Sequence, residues 1–417
     1  MLITRIKASN FYGIKDAVEI VFTEGGEKEK IGYVNIGKER VSLISGFYGA
    51  NASGKSTILN IIDTVIRIML VKQQDFVLGP NGMKQETVIS LPNYHISMKL
   101  KPIVMEMDFI VNEDKYNYSI SIINEGKEIS EEVLYKNNQK IFSRKDHNIS
   151  FETKIEKNIG VLAKNIIAPK KSSFLSVILD ESSDISVFGN MKEEIGISEL
   201  KEIKNRICFI TDKRSVQIGQ NNISGLLNFA ITYLNTDKQN QEEMMNRVNS
   251  VAKYFEPSLK EIIVKPINQN SFDFMANYNN FYKSLPVIEL SAGTRELISY
   301  INDILRMIKI GGIVIYDETS KYYHPDMEIA ILNLFKDKDI NKNNAQLFFS
   351  SHNHETFDLL QNDQAHIVNK NDDNMKVSKV SDYDVKERDN IKRIYRLGSI
   401  GGVPDTIDFN RIINNLL

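Results

Sequence analysis

The sequence holds a single cysteine, Cys208, which excludes an intramolecular disulfide framework and a cysteine-based zinc site. Its neighbours, Arg206-Ile207-Cys208-Phe209-Ile210, make it a small buried hydrophobe. No run of 18 or more apolar residues occurs, so no membrane-spanning helix is expected. The N-terminus, Met1-Leu2-Ile3-Thr4-Arg5-Ile6-Lys7, is too polar for a signal peptide. The cytoplasm is therefore the expected location, with no membrane partner. An excess of either charge is also lacking: 52 basic residues face 54 acidic ones, a net charge of −2. Any nucleic-acid contact would have to come from a local patch. Internal repeats, long heptad runs and low-complexity tracts are missing too.

What is present is an ordinary globular composition, 42% hydrophobic and 25% charged over 417 residues. That length accommodates about two or three domains, or one large domain with an inserted lobe. One stretch organises the chain: Gly49-Ala50-Asn51-Ala52-Ser53-Gly54-Lys55-Ser56-Thr57. It follows the apolar run Val41–Phe47 and opens into Ile58-Leu59-Asn60-Ile61-Ile62, giving strand, glycine loop and helix in the G-x-x-x-x-G-K-[ST] pattern. Gly49 and Gly54 let the backbone wrap closely enough for successive N–H groups to face one anion. The helix starting near Lys55 points its positive end at the same place. Lys55 would reach the β- and γ-phosphates of a nucleoside triphosphate, and Ser56 would offer its hydroxyl to Mg²⁺.

Along the chain, Leu2 to Phe22 reads as two short strands joined near Gly13. Ser56 to about Leu70 is apolar nearly all round and reads as a helix buried on several sides. From about Met98 to Phe151 the period becomes two, as in Met105-Glu106-Met107-Asp108-Phe109, which predicts an antiparallel meander. Residues from about 150 to 260 look mainly helical, with Pro257 ending a polar helix, and short strands follow at Ile262–Val264 and Phe272–Phe274. The expected fold is thus α/β with a split nucleotide domain. Residues 1–150 form its N-terminal half with the phosphate loop and the antiparallel β lobe. Residues 151–285 form an inserted, mainly helical lobe, and residues 286–417 form the C-terminal half.

Further stretches extend the site. Gly311-Gly312-Ile313-Val314-Ile315-Tyr316-Asp317-Glu318 is a buried strand ending in two carboxylates, the form of a Walker B strand. Asp317 would hold the Mg²⁺ shell, and Glu318 would orient and deprotonate the attacking water. Leu290-Ser291-Ala292-Gly293-Thr294-Arg295-Glu296-Leu297 places a hydroxyl and free N–H groups at a helix N-terminus, which a plain N-cap explains equally well. Gln346-Leu347-Phe348-Phe349-Ser350-Ser351-His352 is a strand ending in histidine, with His354 as a rival two residues on.

Assembled, these residues resemble the ABC-type ATPases related to SMC and RecF proteins. More closely the chain is similar to the AAA-annotated, overcoming-lysogenization-defect-like ATPases of prokaryotic abortive-infection and anti-phage systems. The carriers are Ile6–Ile14, Gly49–Thr57, Leu290–Leu297, Asp317-Glu318 with His324-Pro325, Gln346–His352, and the tail Tyr395–Pro404 with its Tyr-x-x-Gly-x-x-Gly-x-x-Pro ending. The resemblance implies an ABC-type P-loop NTPase head that hydrolyses ATP with Mg²⁺. In it Ser291 and Gly293 form a signature loop touching the γ-phosphate held by a second subunit. His352 contacts the γ-phosphate, and Thr319–Pro325 occupies the place of the dimer-contacting D-loop. The signature reads Ser-Ala-Gly-Thr rather than Ser-Gly-Gly-Gln, and no Q-loop glutamine can be assigned. The insert is not a long coiled coil, which argues against an SMC arm, and the spacing argues against a transporter subunit. About 65 residues follow His352, too few for a Toprim nuclease domain.

The reading that follows is a regulatory ATPase, the sensor or scaffold of an anti-phage system. It would form a homodimer or higher homo-oligomer through the ATP site and control a separate nuclease or toxin. Its trigger would be a phage protein or DNA. The alternative is a RecF-like DNA-repair ATPase, for which Lys164, Lys170, Lys171, Lys386, Arg388, Lys392, Arg393 and Arg396 are the candidate basic face. An autonomous nuclease would need a carboxylate cluster beyond Asp317-Glu318, and Asp363, Asp372, Asp373, Asp382 and Asp384 read as loop residues.

Overall fold

The structure, a computed structural model, describes residues 1–25, 29–71, 77–78, 84–85, 98–123, 128–152, 154–156, 168–180, 193, 195–211, 214–217, 225–268, 271–319, 324–371, 374–386 and 389–403. Its centre is a seven-stranded sheet with a parallel middle in the order Ile207–Thr211, Ile313–Tyr316, Gln346–Ser350, Ile44–Tyr48, Ala365–Asn371. An antiparallel strand closes each edge, Arg214–Gln217 on one side and Asn374–Lys379 on the other. Every residue of Ile44–Tyr48, Ile313–Tyr316 and Gln346–Ser350 is buried. That is why these strands are near-continuous apolar runs: parallel sheets are covered on both faces.

The two faces carry different covers. Phe47, Ile313, Ile315 and Phe348 pack into one core with the helix Lys55–Leu70. Ile44, Tyr48, Val314, Tyr316, Leu347 and Phe349 pack into a second core with the helices Lys238–Phe255, Ala292–Ile310 and Pro325–Lys336.

A second seven-stranded sheet is wholly antiparallel, in the order Asn148–Phe151, Gln139–Lys145, Glu128–Lys136, Asp114–Ile123, Ile103–Val111, Leu2–Ser9, Val18–Val21. The period of two seen in the sequence is the signature of its single buried face. Met105, Met107 and Phe109 point inward, while Glu106 and Asp108 face Arg5 across the strands at 3.0 and 2.7 Å.

Helix Lys55–Leu70 lies between the two sheets, which explains its all-round hydrophobicity. Ile58, Leu59, Ile61, Ile62, Val65 and Ile66 are completely buried, each contributing about 1.5–3 kcal/mol. Gln346 ties the sheets together. Its amide accepts from Ile3 N at 2.8 Å and donates to Ile3 O at 2.9 Å and Ser42 O at 2.8 Å. This occurs where the register of Leu2–Ser9 shifts, so a buried bulge is satisfied by a side chain from the other sheet.

The stretch expected to be mainly helical differs in part. It does contain Gly225–Leu234 and Lys238–Phe255. It also supplies Ile207–Thr211, which pairs parallel with Ile313–Tyr316 and so belongs to the central sheet. A short apolar run fits a buried strand or a buried helix turn equally well, and only the partner strand decides. Cys208 sits on that strand, fully buried. Strands Leu259–Asn268 and Ser271–Tyr278 pair as a hairpin and lead into Ala292–Ile310. No helix among the described residues is long and apolar enough to cross a membrane.

Candidate functional site

Strands Ile313–Tyr316, Gln346–Ser350 and Ile44–Tyr48 are neighbours in the parallel sheet, so the loops leaving their C-terminal ends share one edge. Those loops carry Asp317-Glu318, His352 and Gly49–Thr57. The C-terminal edge of a parallel sheet is where such folds bind ligands.

The glycine loop is shaped by close approach. A Cβ on Gly49 would stand 2.5 Å from both Ser53 Oγ and Val368 O. Gly54 has φ 107°, and a Cβ there would meet Met375 Cε at 1.9 Å. Gly54 is the N-cap of Lys55–Leu70; no side chain caps that helix, and its first turn holds no acidic residue. Its amides and its positive end are therefore left for an outside anion. Asn51 and Ala52 lie exposed at the rim, Ala52 at φ 61°, and Ser56 and Thr57 are half-buried.

Lys55 is 6% exposed, and its ammonium donates to Gly49 O at 2.9 Å and Ala50 O at 3.0 Å. Burial pushes its pKa down, opposed by the fields of Asp317 and Glu318. Ser53 Oγ is buried without a hydrogen-bond partner. A desolvated ammonium, an unsatisfied hydroxyl and uncapped amides around two glycines fit a phosphate group.

Asp317 and Glu318 are positioned by Ser350 on the adjacent strand. Ser350 Oγ donates to Asp317 Oδ1 at 2.5 Å and accepts from Glu318 N at 2.8 Å. Asp317 N donates to Ile210 O at 2.9 Å. Glu318 adopts φ 56°, a left-handed conformation uncommon for a residue with a Cβ and held here by its neighbours. The role of Ser350 was not read from the sequence. Its only signal was a hydroxyl residue at the end of an otherwise apolar strand.

The structure separates the two histidines. His352 is exposed at the site, with its pKa lowered by burial and by Lys55 and His354, against the pull of Asp317. His354 instead lies 5.0 Å from the Tyr395 ring and 3.5 Å from Arg396 Nε, on the C-terminal tail. That tail is folded back: Tyr395 OH donates to Gly402 O at 2.7 Å, and Gly402 N to Asn369 Oδ1 at 2.6 Å. Pro404 lies outside the described residues.

Ser291 and Gly293 open a helix on the other face of the sheet. Helix Ala292–Ile310 packs on the opposite sheet face from Lys55–Leu70. Ser291 is its N-cap, accepting from Thr294 N at 3.1 Å, and Thr294 Oγ1 donates to Glu256 at 2.9 Å. Ser291 and Ala292 remain exposed. Within Thr319–Pro325, residues 320–323 lie outside the described residues.

Several basic candidates are engaged locally. Lys170 is 3.8 Å from Glu128, Lys392 is 2.7 Å from both Glu355 and Asp358, and Arg396 is 3.9 Å from Glu355. Lys164 and Arg388 lie outside the described residues. Of the acidic residues, Asp363 is held by Lys30 at 3.2 Å and by Tyr33, and Asp382 accepts from Lys379 N at 2.8 Å. Asp372 and Asp373 lie outside the described residues.

Over residues 44–358 the sequence matches the protein family described as "AAA domain, putative AbiEii toxin, Type IV TA system". No curated protein matches it. Among solved structures it is similar to an SMC head domain from Thermotoga maritima, at 12% identity over 91% of this chain and 99% of that one, with a TM-score of 0.43. It is also similar to an SMC head bound to the C-terminal winged-helix domain of ScpA, at 13% identity over 91% and 97%, TM-score 0.41. A third is an SMC head with an extended coiled coil bound to the C-terminal domain of ScpA from Pyrococcus furiosus, at 13% identity over 96% and 99%, TM-score 0.40.

Proposed function

The chain belongs to this AAA family, with an ATPase-type domain, and from that premise we propose that it is a Mg²⁺-dependent regulatory ATPase of an abortive-infection system. The observation that carries the reading is the meeting of the Gly49–Thr57 loop, Asp317-Glu318 and His352 at one end of three adjacent parallel strands.

On this reading the amides of the Gly49–Thr57 loop and Lys55 grip the triphosphate. The Lys55 ammonium leaves the carbonyls of Gly49 and Ala50 for phosphate oxygens, exchanging neutral acceptors for charged ones. Ser56 and Asp317 would hold Mg²⁺, which supplies charge neutralisation between the β- and γ-phosphates when bound. Glu318, fixed through its own amide by Ser350, orients and deprotonates the attacking water, giving ADP and phosphate. His352, neutral at pH 7 because its pKa is lowered, contacts the γ-phosphate by hydrogen bonding.

Ser291, exposed, and Gly293, half-buried, open a helix on the other face of the sheet and complete the site of a second copy. ATP would then favour the closed dimer because its γ-phosphate touches both subunits, and hydrolysis would remove that difference. A toxin–antitoxin name in the family description supports a defence role. The effector is a separate nuclease or toxin, the trigger is a phage protein or DNA, and residues 151–285 bind one or the other.

The test is ATP turnover and assembly of the purified chain with Mg²⁺. Glu318→Gln should lower turnover by about 10²–10⁴-fold and accumulate an ATP-bound dimer or larger species on size-exclusion chromatography. Unchanged turnover would remove Glu318 as the base, and a chain that hydrolyses no ATP would overturn the reading altogether.

A further inference from the structure

Resting on the ATPase reading above, we propose that Glu328 is a positioning residue that clamps the segment carrying Glu318 to the segment carrying His352. Glu328 lies in the first turn of helix Pro325–Lys336 and is 1% exposed. Its Oε1 accepts from the hydroxyl of Thr319, the residue after Glu318. Its Oε2 accepts from Asn353 Nδ2 at 2.8 Å, the residue after His352. Ser351, the residue before His352, also hydrogen-bonds to the carboxyl group. Both oxygens are thus spent on the flanks of the two residues assigned to chemistry.

The surrounding bonds make the clamp two-sided. Thr319 N donates to Ser350 O at 3.0 Å, and Thr319 Oγ1, whose proton goes to Glu328, lies 3.0 Å from the same carbonyl oxygen. Asn353 N donates to Ser351 Oγ at 2.9 Å, and Asn353 Oδ1 accepts from Glu355 N at 3.0 Å. Burial raises the pKa of Glu328, so the carboxyl is costly at this position. An apolar side chain would pack on the inner face of this helix without that cost. What it would not do is fix two loops at a set distance. Hydrolysis needs Glu318 on the water and His352 on the γ-phosphate at once, and displacements near 1 Å cost about 10²-fold. The contacts of Glu328 go to Thr319, Ser351 and Asn353, not to the Gly49–Thr57 loop, so nucleotide affinity is not its charge.

A glutamine fits the same fork. Its amide oxygen would face Asn353 Nδ2, and its NH₂ would donate to Thr319 Oγ1, whose proton would turn from residue 328 to the nearby Ser350 O. Glu328→Ala, Glu328→Gln and the near-isosteric Thr319→Val are therefore compared with the wild-type full chain. Two measurements are made: steady-state ATP hydrolysis with Mg²⁺, and equilibrium binding of a fluorescent ATP analogue. Glu328→Ala and Thr319→Val should lose about ten- to a hundredfold in kcat with the Kd of the analogue within about threefold, while Glu328→Gln recovers most of the loss. If Glu328→Ala does not fold, Thr319→Val decides on the same two measures. Wild-type kcat in the folded variants overturns the proposal. So does a Kd that weakens in step with kcat, or a glutamine variant no better than alanine. A wild-type chain without ATP hydrolysis overturns the ATPase reading and this proposal with it, whereas an active wild type with an indifferent Glu328→Ala overturns this proposal alone.

Discussion

Ser350 holds Asp317 from the neighbouring strand, its hydroxyl donating to the carboxylate at 2.5 Å while accepting from Glu318 N at 2.8 Å. One side chain therefore sets both the carboxylate proposed to hold Mg²⁺ and the backbone of the proposed base. Removing the hydroxyl leaves a charge-assisted bond unmade, worth about 1.5–3 kcal/mol. Ser350→Ala should lower ATP turnover by about tenfold or more and raise the Mg²⁺ concentration needed for half-maximal rate. A magnesium titration of the initial rate checks this, and an unaltered titration curve would speak against it.

Lys55 gives a prediction with two signs. Its ammonium is buried on backbone carbonyls with a lowered pKa, so the folded state disfavours the charged form. Lys55→Met should abolish binding of a fluorescent ATP analogue. It should not lower the thermal midpoint of the unliganded chain, because a buried cation is replaced by an apolar chain of similar length. A midpoint several degrees below wild type would show that Lys55 stabilises the empty fold instead.

The histidines are separable by turnover. His352→Ala should reduce kcat by about tenfold or more, as removal of a polar contact to developing charge does. His354→Ala should leave kcat near wild type, because His354 packs on Tyr395 and Arg396. Equal losses for both would refute the assignment.

His366 is buried in the central sheet, stacked on Phe47 at 5.0 Å, and its pKa is pushed down to about 3 by burial first and Lys379 second. The unfolded chain takes up this proton as pH falls through about 6.5, while the folded chain does not until about 3. Stability is thus lost across that window, by about 1.4 kcal/mol per pH unit from this group. His366→Phe lacks the term, so the stability difference between wild type and variant should shift by about 2 kcal/mol between pH 7 and pH 5. Urea unfolding at both pH values measures it, and a difference independent of pH would exclude the linkage.

Much of the nucleotide edge was legible because its residues are close in sequence and constrained by local geometry. Gly49, Gly54, Lys55 and Ser56 sit on one turn whose backbone admits few residue types, and Asp317-Glu318 directly follow a four-residue buried strand. The antiparallel sheet was legible in the alternation of Met105, Met107 and Phe109 with Glu106 and Asp108. Glu328 and Ser350 were not, because each acts on a partner far along the chain: Thr319 and Asn353 for one, Asp317 for the other. Strand Ile207–Thr211 was missed for the same reason, since four apolar residues carry no period that distinguishes sheet from helix.

The sequence by itself determined a strand, a glycine loop and a helix around Lys55, a strand ending in paired carboxylates, and a strand ending in histidine. Each follows from rules that act over fewer than about ten residues, the range of backbone sterics and side-chain periodicity. Only the tertiary structure decided that the three strands are neighbours, that His352 rather than His354 faces Lys55 and Asp317, and that Ser291 lies on the far face of the sheet. Those outcomes depend on which strands pair and which helix covers which face, and that is set by burial summed over the whole chain rather than by any one stretch of it.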